Sequence, residues 1–277
     1  MIDAHVHVER GPYTADWIQR FVDQALAVGL DELCLLEHSH RFVEFSELYE
    51  PVRNFDRYQE DWYARRAGKR IGEYLDLVAE MRKSSFPIRL RWGLEVCWLP
   101  GAAKVLESLD ARNSFDFVTG SIHWLDGWGF DHKKERWNGR DVNELYRRYF
   151  ELELDLLHSG LFDHVAHPDS IKCFGHYPEY DLEPTYARVA EAAMTAKVAF
   201  EQSCGLRNNY GHETLGLDRN FLAALRARGV PLLTASDAHR PEDVGKNLKE
   251  AAALLAADAE TPPCRAGSRL PAIGEEK

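Results

Sequence analysis

A barrel of parallel β-strands wrapped by helices is the fold this sequence predicts, and three observations predict it. Short β-like runs alternate with helix-like stretches seven times along the chain, which implies a parallel sheet. The length, 277 residues, suits one (β/α) barrel of roughly 250 residues and a short tail. No sequence repeat and no composition shift marks a second domain. A doubly wound sheet is the runner-up for the same rhythm.

Met1–Val8 alternates apolar and polar residues and reads as the first strand. Thr14–Val28 follows as a helix closed by Gly29, since glycine accepts the left-handed conformation past a helix end. Leu33–Leu36 is the second strand, just before Glu37-His38, and Arg57–Lys83 the next helix. Ile88–Val96 and Phe115–His123 are strands three and four, each trailed by a helix, Ala102–Arg112 and Val142–Ser159. Phe162–Ala166 leads to the helix Pro184–Ala196, and Val198–Glu201 to Leu217–Arg228, closed by Gly229. Pro231–Ala235 is the last strand and Glu242–Ala257 the last helix. Three loops are long, Ser39–Asp56, Trp124–Arg140 and Pro168–Leu182. Long loops that follow barrel strands are where function usually sits. Residues 1–258 are thus read as one barrel domain and 259–277, with Pro262, Pro263, Pro271 and mixed charges, as a flexible tail.

Composition excludes several function classes. Apolar residues at 45% and charged residues at 29% rule out a wholly disordered chain. A net charge of −11 argues against nucleic-acid binding, which depends on Lys and Arg neutralising phosphates. No apolar run approaches the roughly 20 residues of a membrane helix. The start, Met1–Gly11, lacks the basic-then-apolar pattern of a signal peptide, so a cytoplasmic setting is expected. Five scattered cysteines without a C-x-x-C pair read as reduced thiols. The oligomeric state is left open.

The chemistry lies at the strand ends. In Met1–Val8 strict alternation places Asp3, His5 and His7 on one face. A barrel strand is expected to be apolar on both faces, and burying such a set is costly unless it binds something. Later strands end alike: Glu37-His38, Glu95, His123, His167, Glu201, then Asp237 and His239. Barrel enzymes draw their catalytic residues from these C-terminal ends. Imidazole with carboxylate suits Zn, Fe or Mn, and the number of candidates exceeds what one tetrahedral zinc uses. Two or three divalent metal ions are therefore expected. Taken singly, a strand-end histidine is more often a hydrogen-bonded core residue; the joint pattern carries the argument. His132, His158, His164, His176 and His212 are assigned ordinary structural roles, and the aromatic residues near Trp124 core packing.

These motifs resemble those of the PHP (polymerase and histidinol phosphatase) superfamily. Asp3-Ala-His5-Val-His7 is similar to its first motif. Glu37-His38, Gly93-Leu-Glu95, Gly120-Ser-Ile-His123, His167-Pro-Asp169 and Ser236-Asp237-Ala-His239 resemble the later ones, in order, to about residue 250. Gly205-Leu-Arg207 resembles a segment of the histidinol-phosphatase branch. The resemblance implies a distorted (β/α)7 barrel with up to three metal ions. His5, His7, Glu95 and Asp237 would hold the first, and Glu95 would bridge to a second shared with His123 and His167. His38 and His239 would hold the third. Family members usually add a histidine soon after the H-x-H pair; Glu9-Arg-Gly-Pro-Tyr13 has none. Glu9 or His40 would substitute, or the third site is weak or empty.

The implied reaction is phosphomonoester hydrolysis, with two ions clamping the phosphoryl oxygens and activating a bridging water. Glu95, Asp237 and His239 form the expected catalytic group. Arg207 is the expected fork on the phosphate, with Lys172 a weaker candidate. L-histidinol phosphate is the favoured small phosphorylated substrate. Nucleotides or another small phosphate are the alternative. A C–N hydrolase of the amidohydrolase kind and a non-catalytic metal-binding protein rank lower.

Overall fold

The computed structural model describes residues 1–257; the expected tail lies outside the described residues. Seven parallel strands form one sheet: β1 (Ile2–His7), β2 (Glu32–His38), β3 (Arg89–Cys97), β4 (Phe117–Ser121), β5 (His164–Val165), β6 (Ala199–Ser203) and β7 (Leu232–Ala235), hydrogen-bonded in that order. The connecting helices include α1 (Ala15–Ala27), α2 (Arg57–Ala64), α3 (Ile71–Met81), α4 (Ala102–Ser108), α5 (Val142–His158), α6 (Glu183–Ala196), α7 (Gly205–Tyr210), α8 (Arg219–Ala227) and α9 (Leu248–Ala256). This is the expected (β/α)7 barrel.

The barrel closes between β1 and β7 mostly through side chains, which is its distortion. One backbone bridge joins Val6 to Ala238, and His7 N–H donates to the Ala238 carbonyl at 2.8 Å. Thr234 Oγ1 donates to the Ile2 carbonyl at 2.6 Å. Asp3 ties the seam: its carboxylate accepts from Ser236 N–H at 2.8 Å and Gly245 N–H at 3.0 Å. Burial pushes its pKa up to about 6 against the lowering by those bonds. Asp3 therefore does not share the role of His5 and His7. The register slips between Asp3 and Val6, a bulge that breaks the strict alternation expected of β1.

Two apolar layers support the strands. A small cluster drawn mainly from strand residues, Ala4, Cys34, Leu36, Phe117, Ala199, Leu233 and Ala235, fills the barrel. The larger core lies between the strands and the helices. In α1, Ile18, Phe21, Val22 and Ala25 recur at helical spacing and are buried. Gly93, inside the barrel, faces Phe117, whose ring occupies the space where a Cβ would stand.

Two expected helices are broken. Arg57–Lys83 divides into α2 and α3 around Gly68, φ +120°, where Val43 N–H bonds the Lys69 carbonyl. Glu242–Ala257 shortens to α9 because Gly245 and Asn247 adopt left-handed backbone, φ 76° and 62°. The long loops hold short 3-10 turns and a hairpin pairing Trp124-Leu125 with Trp128-Gly129. Among the described residues no helix is long and apolar enough to cross a membrane.

Candidate metal centre

At the C-terminal end of the barrel, side chains from β1, β2 and β3 and from the segments after β4, β5 and β7 converge on Glu95. This carboxylate is buried at the tip of β3. Its Oε2 lies 3.3 Å from His5 Nε2, 3.2 Å from His7 Nε2 and 3.2 Å from His38 Nε2. Its Oε1 lies 3.0 Å from His123 Nε2 and 3.4 Å from His167 Nε2. Burial would raise the Glu95 pKa, but His38, His123, His167 and His5 outweigh it and hold the carboxyl well below its ordinary range. Glu95 is thus ionised, with one oxygen turned to each of two groups of imidazoles.

Asp237 joins the first group: its Oδ1 is 3.7 Å from both His5 Nε2 and His7 Nε2, which are themselves 2.8 Å apart. Two ring nitrogens so close, facing two carboxylate oxygens, make a donor set that could hold a divalent cation. The His7 ring is stacked between His38 and His239, at centroid distances of 3.8 and 4.5 Å. Burial and those two imidazoles push its pKa well down, so His7 is neutral and keeps a lone pair for a metal. Glu9 lies between His38 and His239, 3.1 Å from Nδ1 of the first and 2.9 Å from Nδ1 of the second. Among the described residues, five overlapping triplets have potential ligand atoms within 4.8 Å of one another, among them His5-His7-Asp237, His5-Glu95-His167 and His7-Glu9-His239. The residues present therefore fit more than one metal ion.

An outer layer aims these side chains. Glu201, on β6, accepts from His5 Nδ1 at 2.9 Å and from His167 N–H at 3.0 Å, and His164 Nε2 lies 3.1 Å from it. His5 consequently turns its Nε2 inward, and His164 serves as a support. Burial raises the Glu201 pKa, but His5 and His164 outweigh it and bring it down to about 2. Asp131 accepts from His123 Nδ1 at 2.7 Å and from the Tyr210 hydroxyl at 3.1 Å. Asn209 donates to Asp237 Oδ2 at 2.8 Å. A Cβ on Gly205 would press on the same Asp237 oxygen, which explains the glycine there. His167 and Asp237 adopt φ 32° and 55°, backbone that non-glycine residues rarely take and that their surroundings must enforce.

The centre opens into a cavity of about 530 Å³ lined in part by Glu9, His38, His123, His167, Asp237 and His239. Eight sequence-derived ligand candidates therefore come together. Arg207 and Lys172 lie outside the lining. The Arg207 guanidinium bonds Glu250 at 2.6 Å and the Glu213 carbonyl at 2.8 Å. Lys172 is buried and paired with Asp169 at 2.6 Å. The arginines on the cavity are Arg10, Arg66 and Arg240. Sequence reasoning did not single out Asp131, Asn209 or Tyr210. Arg240 carried a signal, since it directly follows His239.

The PHP domain family model matches residues 3–204. A probable histidinol-phosphatase of Deinococcus radiodurans is 29% identical over 256 residues, which is 91% of each chain. A probable histidinol-phosphatase of Schizosaccharomyces pombe is 22% identical over 261 residues, 86% of this chain and 80% of that one. Among solved structures, the histidinol phosphate phosphatase of Lactococcus lactis, complexed with zinc, L-histidinol and phosphate, superposes with a TM-score of 0.71 at 19% identity, covering 97% of both chains. A putative histidinol phosphatase of Listeria monocytogenes gives a TM-score of 0.72 at 16% identity over 90% of this chain and 99% of that one.

Proposed function

Because this chain belongs to the PHP domain family, we propose that it is a metal-dependent phosphomonoesterase whose substrate is L-histidinol phosphate, yielding L-histidinol and phosphate in histidine synthesis. The observation that carries the reading is Glu95, ionised and buried, with one oxygen toward His5, His7 and His38 and the other toward His123 and His167. His5, His7, Glu95 and Asp237 would hold one ion, Glu95, His123 and His167 a second, and His38, His239 and Glu9 a third. Zn, Fe and Mn all suit this donor set. Bound there, divalent ions supply Lewis acidity to the phosphoryl oxygens and activate water as the nucleophile.

The chain's own residues do the rest. Glu95 and Asp237 fix the spacing of the ligand groups. Glu201 and Asp131 hold His5 and His123 in the tautomers that present Nε2 inward. Arg10, Arg66 and Arg240 stand on the cavity where a phosphate would lie, and a guanidinium fork matches its oxygens. Arg207 would have to leave Glu250 to share that task. With the third site empty, His239, between Glu9 and Asp237, is placed to pass a proton toward a leaving oxygen. The named relatives support the substrate. The four described cysteines are free and buried, which agrees with a cytoplasmic setting.

The test is phosphate release from L-histidinol phosphate by purified, metal-analysed protein, beside nucleotides and sugar phosphates. Selective release from L-histidinol phosphate is expected. Faster release from a nucleotide would move the substrate within the same chemistry.

A further inference from the structure

The long loop after β5, residues 168–182, supplies none of the converging side chains of the metal centre. It frames instead a second cavity, of about 260 Å³, that shares no lining residue with the first. The aromatic walls of this cavity are Tyr146 on α5, Tyr186 on α6, and Tyr177 and Tyr180 from the loop. Two of these rings are fixed from behind. The Tyr146 hydroxyl donates to the His176 carbonyl at 2.6 Å, and the Tyr186 ring stacks on Phe221 at 4.5 Å. Tyr177, by contrast, is 53% exposed.

Two kinds of charge meet within this aromatic frame. The first is Lys172, which lines the cavity and is only 4% exposed. Its ammonium has three N–H donors but one partner among the described residues, Asp169 Oδ2 at 2.6 Å. The same oxygen accepts from Asp218 N–H at 2.7 Å, which holds the pair in place. Two donors of a largely buried cation are left for an acceptor, and a carboxylate is the acceptor that also matches the charge. The second kind is negative. Asp181, Glu183 and Asp218 line the cavity as well. Each commits one oxygen to a protein N–H: Asp181 to Glu183 N–H at 2.9 Å, Glu183 to the Asn220 amide at 3.2 Å, and Asp218 to Asn220 N–H at 2.8 Å. Taken alone, such carboxylates are ordinary surface groups. Set around one small cavity with a buried lysine, they make a dipolar site. Four lining carboxylates, Asp169 included, disfavour a plain anion, and Lys172 disfavours a plain cation.

We propose that this cavity binds a free α-amino acid with an aromatic side chain, held as its zwitterion. The carboxylate goes to Lys172, the ammonium to Asp218, Asp181 and Glu183, and the ring to the tyrosines. Ring–ring contact favours an aromatic side chain, and a tyrosine face adds cation–π attraction for the ammonium. The volume falls below the roughly 300–1,000 Å³ of drug-sized sites, which suits an occupant as small as one amino acid. Binding here involves no turnover, so its failure would leave the phosphatase reading untouched.

The experiment is calorimetry of the metal-loaded protein with L-phenylalanine and two truncations of it: phenethylamine, which lacks the carboxylate, and 3-phenylpropionate, which lacks the ammonium. L-phenylalanine is expected to bind, and each truncation to bind roughly tenfold or more weakly, the scale of one charge-assisted contact. The truncations stand in for a Lys172 variant, which would strand the buried Asp169 carboxylate. Tyr177→Ala, at an exposed position, and Asp218→Asn, which keeps the cap on α8, should each weaken L-phenylalanine by roughly fivefold or more. Three results would overturn the site. One is no binding of L-phenylalanine, L-tyrosine or L-tryptophan at millimolar concentration. Another is equal binding of L-phenylalanine and either truncation. The third is an affinity unchanged in both folded variants, which would place the amino acid elsewhere on the protein.

Discussion

Glu201→Gln removes one charge at a residue that does not line the cavity of the metal centre, yet it is expected to weaken that centre. In the native protein Oε1 faces two imidazoles, His5 Nδ1 at 2.9 Å and His164 Nε2 at 3.1 Å, while Oε2 accepts from His167 N–H at 3.0 Å. An amide has only one acceptor oxygen. If its NH2 meets His167 N–H, two buried donors collide, at a cost of roughly 1–3 kcal/mol. If its NH2 meets the imidazoles, His5 must accept at Nδ1 and carry its proton on Nε2, the atom aimed between His7, Glu95 and Asp237. Either way His5 or His167 loses its aim. Partners of this kind typically contribute about 10–100-fold in metal affinity, or about 1.4–2.7 kcal/mol. The assay is a competitive chelator titration of metal affinity, with phosphate release followed in parallel. Affinity within about twofold of wild type in a folded Glu201→Gln protein would refute the reasoning, because the outer carboxylate would then not set the tautomer.

Three other outcomes follow from the same structure. Asp131→Asn should lower activity by roughly 10–100-fold through His123, whose Nδ1 it holds, with the loss appearing in metal affinity as well. Glu9→Ala should lower the bound metal, measured by elemental analysis, while leaving the ions beside Glu95 in place; unchanged metal content would show that His38 and His239 need no carboxylate. Glu153→Leu should stabilise the fold by roughly 1–3 kcal/mol near neutral pH in urea unfolding, since Glu153 is fully buried and neither carboxyl oxygen has a partner. Burial, with Asp169 adding to it, raises the Glu153 pKa well above its ordinary value. The folded state then keeps a proton that the unfolded state releases, so wild-type stability falls relative to the variant as pH rises above about 4.5 toward the raised pKa.

Much of this was legible in the sequence because two periodicities are strong. The rhythm of apolar runs places all seven strands, and ligand-type residues at the C-terminal ends of six of them mark His5, His7, His38, Glu95, His123, His167, Asp237 and His239. Other features depend on long-range packing. Asp3 follows the alternation of β1 on paper, but the bulge turns it to Ser236 and Gly245. Asp131 is one acid among several in its loop, and only the folded hairpin brings it to His123. Arg207 belongs to a recognisable segment, yet its guanidinium reaches Glu250, a partner 43 residues away. Gly68, Gly245 and Asn247 divide two apparent helices because local backbone conformation overrides the apolar pattern there.

The central claim is that divalent metal at the Glu95 centre drives phosphoester hydrolysis. Its most direct test is to strip the protein with a chelator and titrate metal back while following phosphate release from L-histidinol phosphate. The account predicts no release from the stripped protein and recovery that is complete only after more than one equivalent of metal. Equal release with and without metal would contradict it.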